Sequence, residues 1–204
     1  MTAPRLVARD LACRRGDRVL FRGVQLDLGP GEALHLAGAN GIGKSSLIRI
    51  LAGLMRPFAG TVERDGALAL VDERLALDGH LPLGRALAFW HAIDRTAPGA
   101  DDPFGLADLA DVPVRYLSTG QKKRAALARL AAAQAPIWLL DEPLNGLDTA
   151  WAGQAQAGIE AHRAAGGLVV IASHQPLALA GLRTLAMADH VPAGEAANGE
   201  EDWA

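Results

Sequence analysis

The chain has 204 residues, half of them hydrophobic, a formal net charge of −3 and a single cysteine, Cys13. That length fits one domain with room for a small inserted lobe, and the apolar half can bury a sizeable core. A mildly acidic chain lacks the basic footprint of nonspecific nucleic-acid binding, and one cysteine excludes a disulfide framework or a cysteine-based metal cluster within the chain.

From the N-terminus, "MTAPRLVARDLACRRGD" contains no apolar secretory core, and later apolar runs are broken by charge before they reach membrane-spanning length. A soluble protein is expected, reaching a membrane only by docking to a partner. "RLVARDLACRR" and "RVLFRGVQLDLG" alternate enough to form an antiparallel β piece, and "PGE" at 30–32 turns the chain. "ALHLAG" reads as a short buried strand, and "KSSLIRILAGLM" follows with helical spacing, closed by "RPFAG". "ALALVDE", 67–73, is another buried strand.

The character then changes. Residues 75–116 are punctuated by Pro and Gly around two amphipathic stretches, "LGRALAFWHAI" and "FGLADLAD", which predicts an inserted helical subdomain. Phe89 is expected to pack that lobe's own core, while Trp90 suits either packing or docking. "APIWLLDEP" and "GGLVVIASH" are strands of the kind buried on both faces. Strands alternating with helices predict an α/β fold with a parallel sheet. The divisions are a core over 1–74 and 117–190 that includes the antiparallel piece, the helical subdomain over 75–116, and a flexible acidic tail over 191–204.

"GANGIGKSS" fits the phosphate loop pattern G-x-x-x-x-G-K-[ST] at Gly38, Gly43, Lys44 and Ser45. Glycines at 38, 41 and 43 let backbone N–H groups of Gly38, Ala39, Asn40, Gly41, Ile42 and Gly43 converge on a phosphate. The next helix aims its positive end at the same point, adding Lys44, Ser45 and Ser46. Lys44 would reach the β- and γ-phosphates and Ser45 would ligate Mg²⁺. An ordinary glycine turn is the plain alternative, and the strand before and helix after argue against it. "IWLLDEP" adds Asp141 and Glu142 at the C-terminal end of a buried strand, where open α/β sheets bind ligands. Asp141 would hold Mg²⁺, and Glu142, pointing elsewhere, would polarise the attacking water. His174 ends a further apolar strand and could sense the γ-phosphate from the same sheet edge.

Together with "LSTGQ" at 117–121 and "NGLD" at 145–148, these motifs in this order resemble the nucleotide-binding subunit of an ABC transporter over nearly the whole chain. The resemblance implies a P-loop NTPase core of ABC type, a parallel sheet with an added antiparallel β piece. It implies that Ser118, Thr119, Gly120 and Gln121 close in trans over ATP held by a partner's phosphate loop. It further implies that Asp148 crosses that interface, in a homodimer or a pairing with a second nucleotide-binding subunit.

In detail, "LACRRGDRVLF", "STGQKKRAALARL", "IWLLDEP" and "SHQPL" resemble the Ccm-type haem exporter ATPases of bacterial cytochrome c maturation. That resemblance implies a peripheral motor on the cytoplasmic face of the inner membrane, docked on transmembrane subunits. Its Mg²⁺·ATP hydrolysis would drive release of a haem-loaded chaperone, with no haem bound to this chain and no nucleic-acid partner.

Three positions depart from the family pattern. Arg15 stands where an adenine-stacking aromatic is expected; its guanidinium plane can stack on a base, or it is simply an exposed strand arginine. The glutamine that usually follows the strand after the phosphate-loop helix is missing, and Asp72, Glu73 or Arg74 is offered instead. Glu73 is a candidate oxygen ligand to Mg²⁺. Thr119 replaces a signature glycine. Competing readings are an ABC ATPase of another cargo, a soluble non-transport ABC protein, and a nucleotide-binding subunit with degraded catalysis.

Overall fold

A computed structural model of the protein describes residues 3–96 and 102–192. Two sheets and four α-helices build it. Strands β1 (Arg5–Arg15) and β2 (Arg18–Leu28) form the expected antiparallel hairpin, and β4 (Ala59–Asp65) joins it on the other edge to give the order β2-β1-β4. The second sheet is parallel, in the order β5-β6-β7-β3-β8. Its strands are β3 (Ala33–Ala37), β5 (Leu68–Val71), β6 (Ile137–Asp141), β7 (Leu168–Ala172) and β8 (Arg183–Ala186). The helices are α1 (Lys44–Leu51), α2 (Leu83–Asp94), α3 (Thr119–Ala132) and α4 (Thr149–Ala164).

All five residues of β6 and all five of β7 are buried. Their alternation sorts the side chains between two cores. Ile137 and Leu139 face a cluster built with α1 and the antiparallel sheet, including Phe21, Leu47 and Ile48. Trp138 and Leu140 face the opposite cluster, made with α3, α4 and the helical segment, including Leu83, Leu127 and Ile159. Continuous apolar runs are what a strand covered on both faces requires.

Two strands carry no clear sequence signal. β4 is almost wholly exposed, so it lacks alternation, and β8 is four residues long with none of them buried. β4 nevertheless anchors the fold. Arg64 donates from Nε to the Leu51 carbonyl (2.6 Å) and from Nη2 to the Ile50 carbonyl (2.8 Å), capping the C-terminal end of α1 with a positive charge.

In the helical segment α2 forms as expected, but "FGLADLAD" yields only a single 3₁₀ turn at Ala107–Leu109. Asp102 accepts a hydrogen bond from the Ala107 N–H (2.7 Å) and ties that stretch into a loop. The expectation for Phe89 is overturned: it is 58% exposed. Trp90 takes the packed position. Its indole N–H donates to the Ala76 carbonyl (2.6 Å), and the Arg129 guanidinium lies 3.6 Å from its ring centre. The indole finds a hydrogen-bond acceptor and a cation at this joint, whereas a phenyl ring could use only the cation. The tail expected over 191–204 lies outside the described residues from 193 onward, as do residues 97–101 of the helical segment.

Beneath α4, His162 stacks on Trp138 with ring centres 3.8 Å apart. Its Nε2 is buried without a hydrogen-bond partner, and burial holds its pKa below the ordinary histidine value of 6.5. Above 6.5 both folded and unfolded chains hold this ring neutral. Below it the unfolded chain takes up a proton that the fold resists, so stability falls as pH drops through that range. Chemical denaturation between pH 8 and 5 is expected to show this fall, and the His162→Gln variant is expected to lose the part due to this ring.

Candidate functional site

Three adjacent strands of the parallel sheet stop in register. Ala172 at the end of β7 pairs with Leu36 of β3 on one side and with Asp141 of β6 on the other. The residues that follow each strand therefore emerge together at the C-terminal edge of the sheet, where the helix N-termini also point.

After β3 comes the glycine loop. Gly43 sits at φ 113°, and a Cβ there would lie 3.0 Å from the Phe21 ring, so the turn needs glycine on both conformational and steric grounds. No side chain caps the start of α1, which leaves its first N–H groups available to an anion. The Lys44 side chain is only 6% exposed, and its ammonium donates to the carbonyls of Gly38 (2.7 Å) and Ala39 (3.1 Å). Asn40, Gly41, Gly43, Lys44, Ser45 and Ser46 line a cleft of about 580 Å³. Gly38, Ala39 and Ile42 do not line it; Ile42 packs on the apolar core instead.

Glu73, Glu142, Asn145 and His174 form another wall of the same cleft, and Arg15, Arg18 and Leu20 of the β1–β2 hairpin a further one. After β6 the chain reverses sharply at Glu142, whose φ of 48° is left-handed and costs about 1–3 kcal/mol for a non-glycine residue. The reversal separates the two acids. Asp141 is 2% exposed and stays inside the protein, while Glu142 turns to the cleft, where His174 donates from Nδ1 to its Oε2 (2.9 Å). Ser173 holds the histidine loop, its hydroxyl accepting from the Gln175 N–H (2.9 Å).

Asp141 is the electrostatic centre of the site. Burial, then the neighbouring charges of Glu142 and Glu73, push its pKa above the usual aspartate value, against the opposing pull of Ser45 and Arg49. Its Oδ1 is buried without a hydrogen-bond partner. A buried carboxylate oxygen with no donor, beside Ser45 in the first turn of α1, suits a hard divalent cation. Among the described residues no cluster of three His, Cys, Asp or Glu side chains could hold a metal unaided. A magnesium ion fits this donor set only together with phosphate oxygens and water.

Ionising Asp141 at neutral pH therefore costs the fold stability. Asp141→Asn is expected to raise the melting temperature of the nucleotide-free, magnesium-free protein by roughly 2–4 °C per kcal/mol relieved. Differential scanning calorimetry checks the sign.

Ser118, Gly120 and Gln121 do not line this cleft. They start α3. The Ser118 hydroxyl accepts from the Gln121 N–H (3.2 Å) and the Gln121 side chain accepts from the Ser118 N–H (2.8 Å), a reciprocal cap. Gly120 presses on the next loop: a Cβ there would sit 2.7 Å from the Gly146 carbonyl oxygen. Thr119 borders a second cleft of about 250 Å³, shared with Glu73, Glu142 and Asn145. Asp148 caps α4 in its own chain, accepting from the Trp151 N–H (2.9 Å).

Sequence reasoning missed Arg18, and it named Asn145 only as the start of the NGLD stretch. Arg18 pairs with Arg15 across the hairpin, so naming one strand end implies the other. Asn145 follows Glu142 by three residues in the same turn.

Comparison with known proteins agrees with this architecture. A family model described as ABC transporter matches residues 21–145. The chain is 72% identical, over 92% of its length and 97% of the relative's, to the cytochrome c biogenesis ATP-binding export protein CcmA of Novosphingobium aromaticivorans. It is 50% identical to the protein of the same name from Zymomonas mobilis, over 92% and 86% of the two chains. Among solved structures, a putative ABC transporter ATP-binding protein from Pyrococcus furiosus superposes with a TM-score of 0.80 at 19% identity, covering 92% of this chain and all of that one.

Proposed function

Because the chain belongs to the ABC transporter family, and within it to the cytochrome c biogenesis ATP-binding export proteins, we propose that its ATP hydrolysis drives release of a haem-loaded chaperone from a membrane complex. The chain is an ABC-type ATPase that serves an export system. The observation that carries the reading is the convergence of Lys44, Glu142 and His174 on one cleft at the sheet's C-terminal edge.

Each residue has a physical task. The loop from Gly38 to Gly43 and the open start of α1 receive the phosphates. Lys44 exchanges its two backbone carbonyls for β- and γ-phosphate oxygens. Ser45 and Asp141 would hold Mg²⁺, with Glu73 a further oxygen donor; the ion would neutralise charge on the β- and γ-phosphates. Glu142 accepts a proton from the attacking water once its bond to His174 opens, and His174 then orients that water against the γ-phosphate. Arg15 stacks on or borders the base. Ser118, Thr119, Gly120 and Gln121 serve the nucleotide of a second copy or second nucleotide-binding subunit, with Asp148 at the same interface.

Among the described residues no helix is long and apolar enough to cross a membrane. We place the chain peripherally on the cytoplasmic face of the inner membrane, held by transmembrane subunits. Their docking surface is the groove of about 500 Å³ between the core and the helical subdomain over 75–116, which Leu54, Leu75, Asp94 and Arg129 help to line. Exposed Phe89 lies on that subdomain. Haem and nucleic acid are not ligands of this chain in this reading.

The test is a haem stain of c-type cytochromes in cells carrying Lys44→Ala in place of the native residue. Loss of covalent haem, with the chaperone still haem-loaded at the membrane, is the expected result. Normal staining sinks the haem-release reading and leaves an ABC ATPase of another cargo.

A further inference from the structure

A polar ring interrupts the apolar run of β3. Leu34 and Leu36, on either side of His35, join the cluster built with α1 and the hairpin, so His35 faces the other side of the sheet. There it lies between two strands, paired with Ile171 of β7 and Thr184 of β8. The residue is partly buried, and its ring needs a hydrogen-bond partner. Nε2 lies 2.9 Å from the carbonyl oxygen of Ser173, just past the end of β7. A carbonyl can only accept, so Nε2 carries the hydrogen and donates it.

That carbonyl belongs to the peptide unit joining Ser173 to His174. The unit is trans, so its carbonyl and its N–H point in opposite directions from one rigid plane. On the far side the His174 N–H donates to Glu142 Oε2 (3.4 Å), the same oxygen that accepts from Nδ1 of the His174 ring (2.9 Å). His35 and Glu142 therefore grip a single peptide plane from its two sides. Ser173 is buried, and its hydroxyl bonds both the N–H (2.9 Å) and the carbonyl (3.2 Å) of Gln175. The hydroxyl closes the turn around His174; the bond from His35 sets the tilt of its peptide plane and ties it to the strand that leads into the phosphate loop.

We propose that His35 is a positioning residue for ATP hydrolysis: its Nε2–H holds the Ser173–His174 peptide plane and through it keeps the His174 ring aligned with Glu142. His35 does not line the cleft, so it acts through His174 and not on the nucleotide. The inference rests on the reading of the larger cleft as the site of ATP hydrolysis.

The experiment measures kcat and KM for ATP, and the imidazole nitrogen NMR spectrum without nucleotide, in the full-length protein and in His35→Gln, His35→Leu and His35→Phe. Glutamine offers an amide N–H at a reach close to that of Nε2, while leucine and phenylalanine fill the space and donate nothing. The two apolar variants are expected to lower kcat about tenfold with KM within about twofold of wild type, and His35→Gln to keep most of the rate. The His174 ring resonances are expected to move in the apolar variants and to stay in place in His35→Gln. A merely structural role shows itself differently, because damage to β3 reaches the phosphate loop: KM rises, or glutamine fails to rescue, and either result overturns the proposal. A fall in kcat with the His174 resonances unmoved overturns it too. If neither apolar variant folds, the bond serves the fold and the proposal fails. Lys44→Ala in the same assay separates this failure from that of the wider reading. If hydrolysis survives Lys44→Ala, the nucleotide-site reading is wrong; if it is lost while the His35 variants turn over at the wild-type rate, only the positioning role is wrong.

Discussion

Glu142→Gln is expected to reduce steady-state ATP hydrolysis by roughly 10²- to 10⁴-fold while leaving ATP binding intact. The substitution keeps the shape of the side chain and can keep the hydrogen bond from His174, now to an amide oxygen. It removes the charge that, in the proposed mechanism, takes a proton from water. The left-handed turn at 142 is no harder for glutamine than for glutamate, so the fold is unaffected. Because binding outlasts chemistry in this variant, an ATP-bound pair of chains accumulates. Size-exclusion chromatography with ATP detects the pair, and phosphate release measures the loss. Turnover near the wild-type rate shifts the catalytic base elsewhere in the cleft, with Glu73 the next carboxylate to test.

The second large effect is expected at Gly120. A Cβ at that position meets the Gly146 carbonyl at 2.7 Å, and the obstacle is backbone, which cannot swing aside as a side chain would. Gly120→Val therefore displaces the start of α3 from the loop before α4. Hydrolysis is expected to fall at least about a hundredfold, with nucleotide still bound at the chain's own phosphate loop. Mixing reveals where the signature acts. Lys44→Ala has a sound signature and a defective phosphate loop, and Gly120→Val the reverse. If the signature serves the neighbour, a mixed pair contains one complete site, and hydrolysis returns that neither protein shows alone. A mixture as inactive as its components argues against service in trans.

The parts of the fold that could be read in the sequence are those where one force dominates. β6 and β7 are five buried residues each, and burial on both faces leaves an unbroken apolar run that cannot be missed. β4 is held by pairing with β1 and by the cap that Arg64 places on α1, neither of which leaves a periodic trace in "AGTVERD". Phe89 is the ring expected in that lobe's core, with Trp90 left to packing or docking, but the carbonyl of Ala76 and the guanidinium of Arg129 give the packed place to the residue with an N–H.

For the site, the motif spacing predicts a shared edge, and the structure brings Lys44, Ser45, Glu73, Glu142 and His174 to one cleft. What spacing cannot convey is orientation. Asp141 and Glu142 are neighbours in sequence, and only the backbone reversal sends one inward and the other to His174.

The contact between Gly120 and Gly146 has a thermodynamic consequence. It joins the front of α3 to the turn that begins at Glu142, leaving no side chain between them to absorb a shift. If nucleotide at one site shifts that joint, and a second chain seated against α3 as proposed above shifts the same joint, the two are coupled through it. The free energy each lends the other must then be equal, and the two occupancies of such a pair are linked. A titration of the paired protein with a non-hydrolysable nucleotide should then depart from a simple hyperbola, in the direction of whichever joint position the first nucleotide favours.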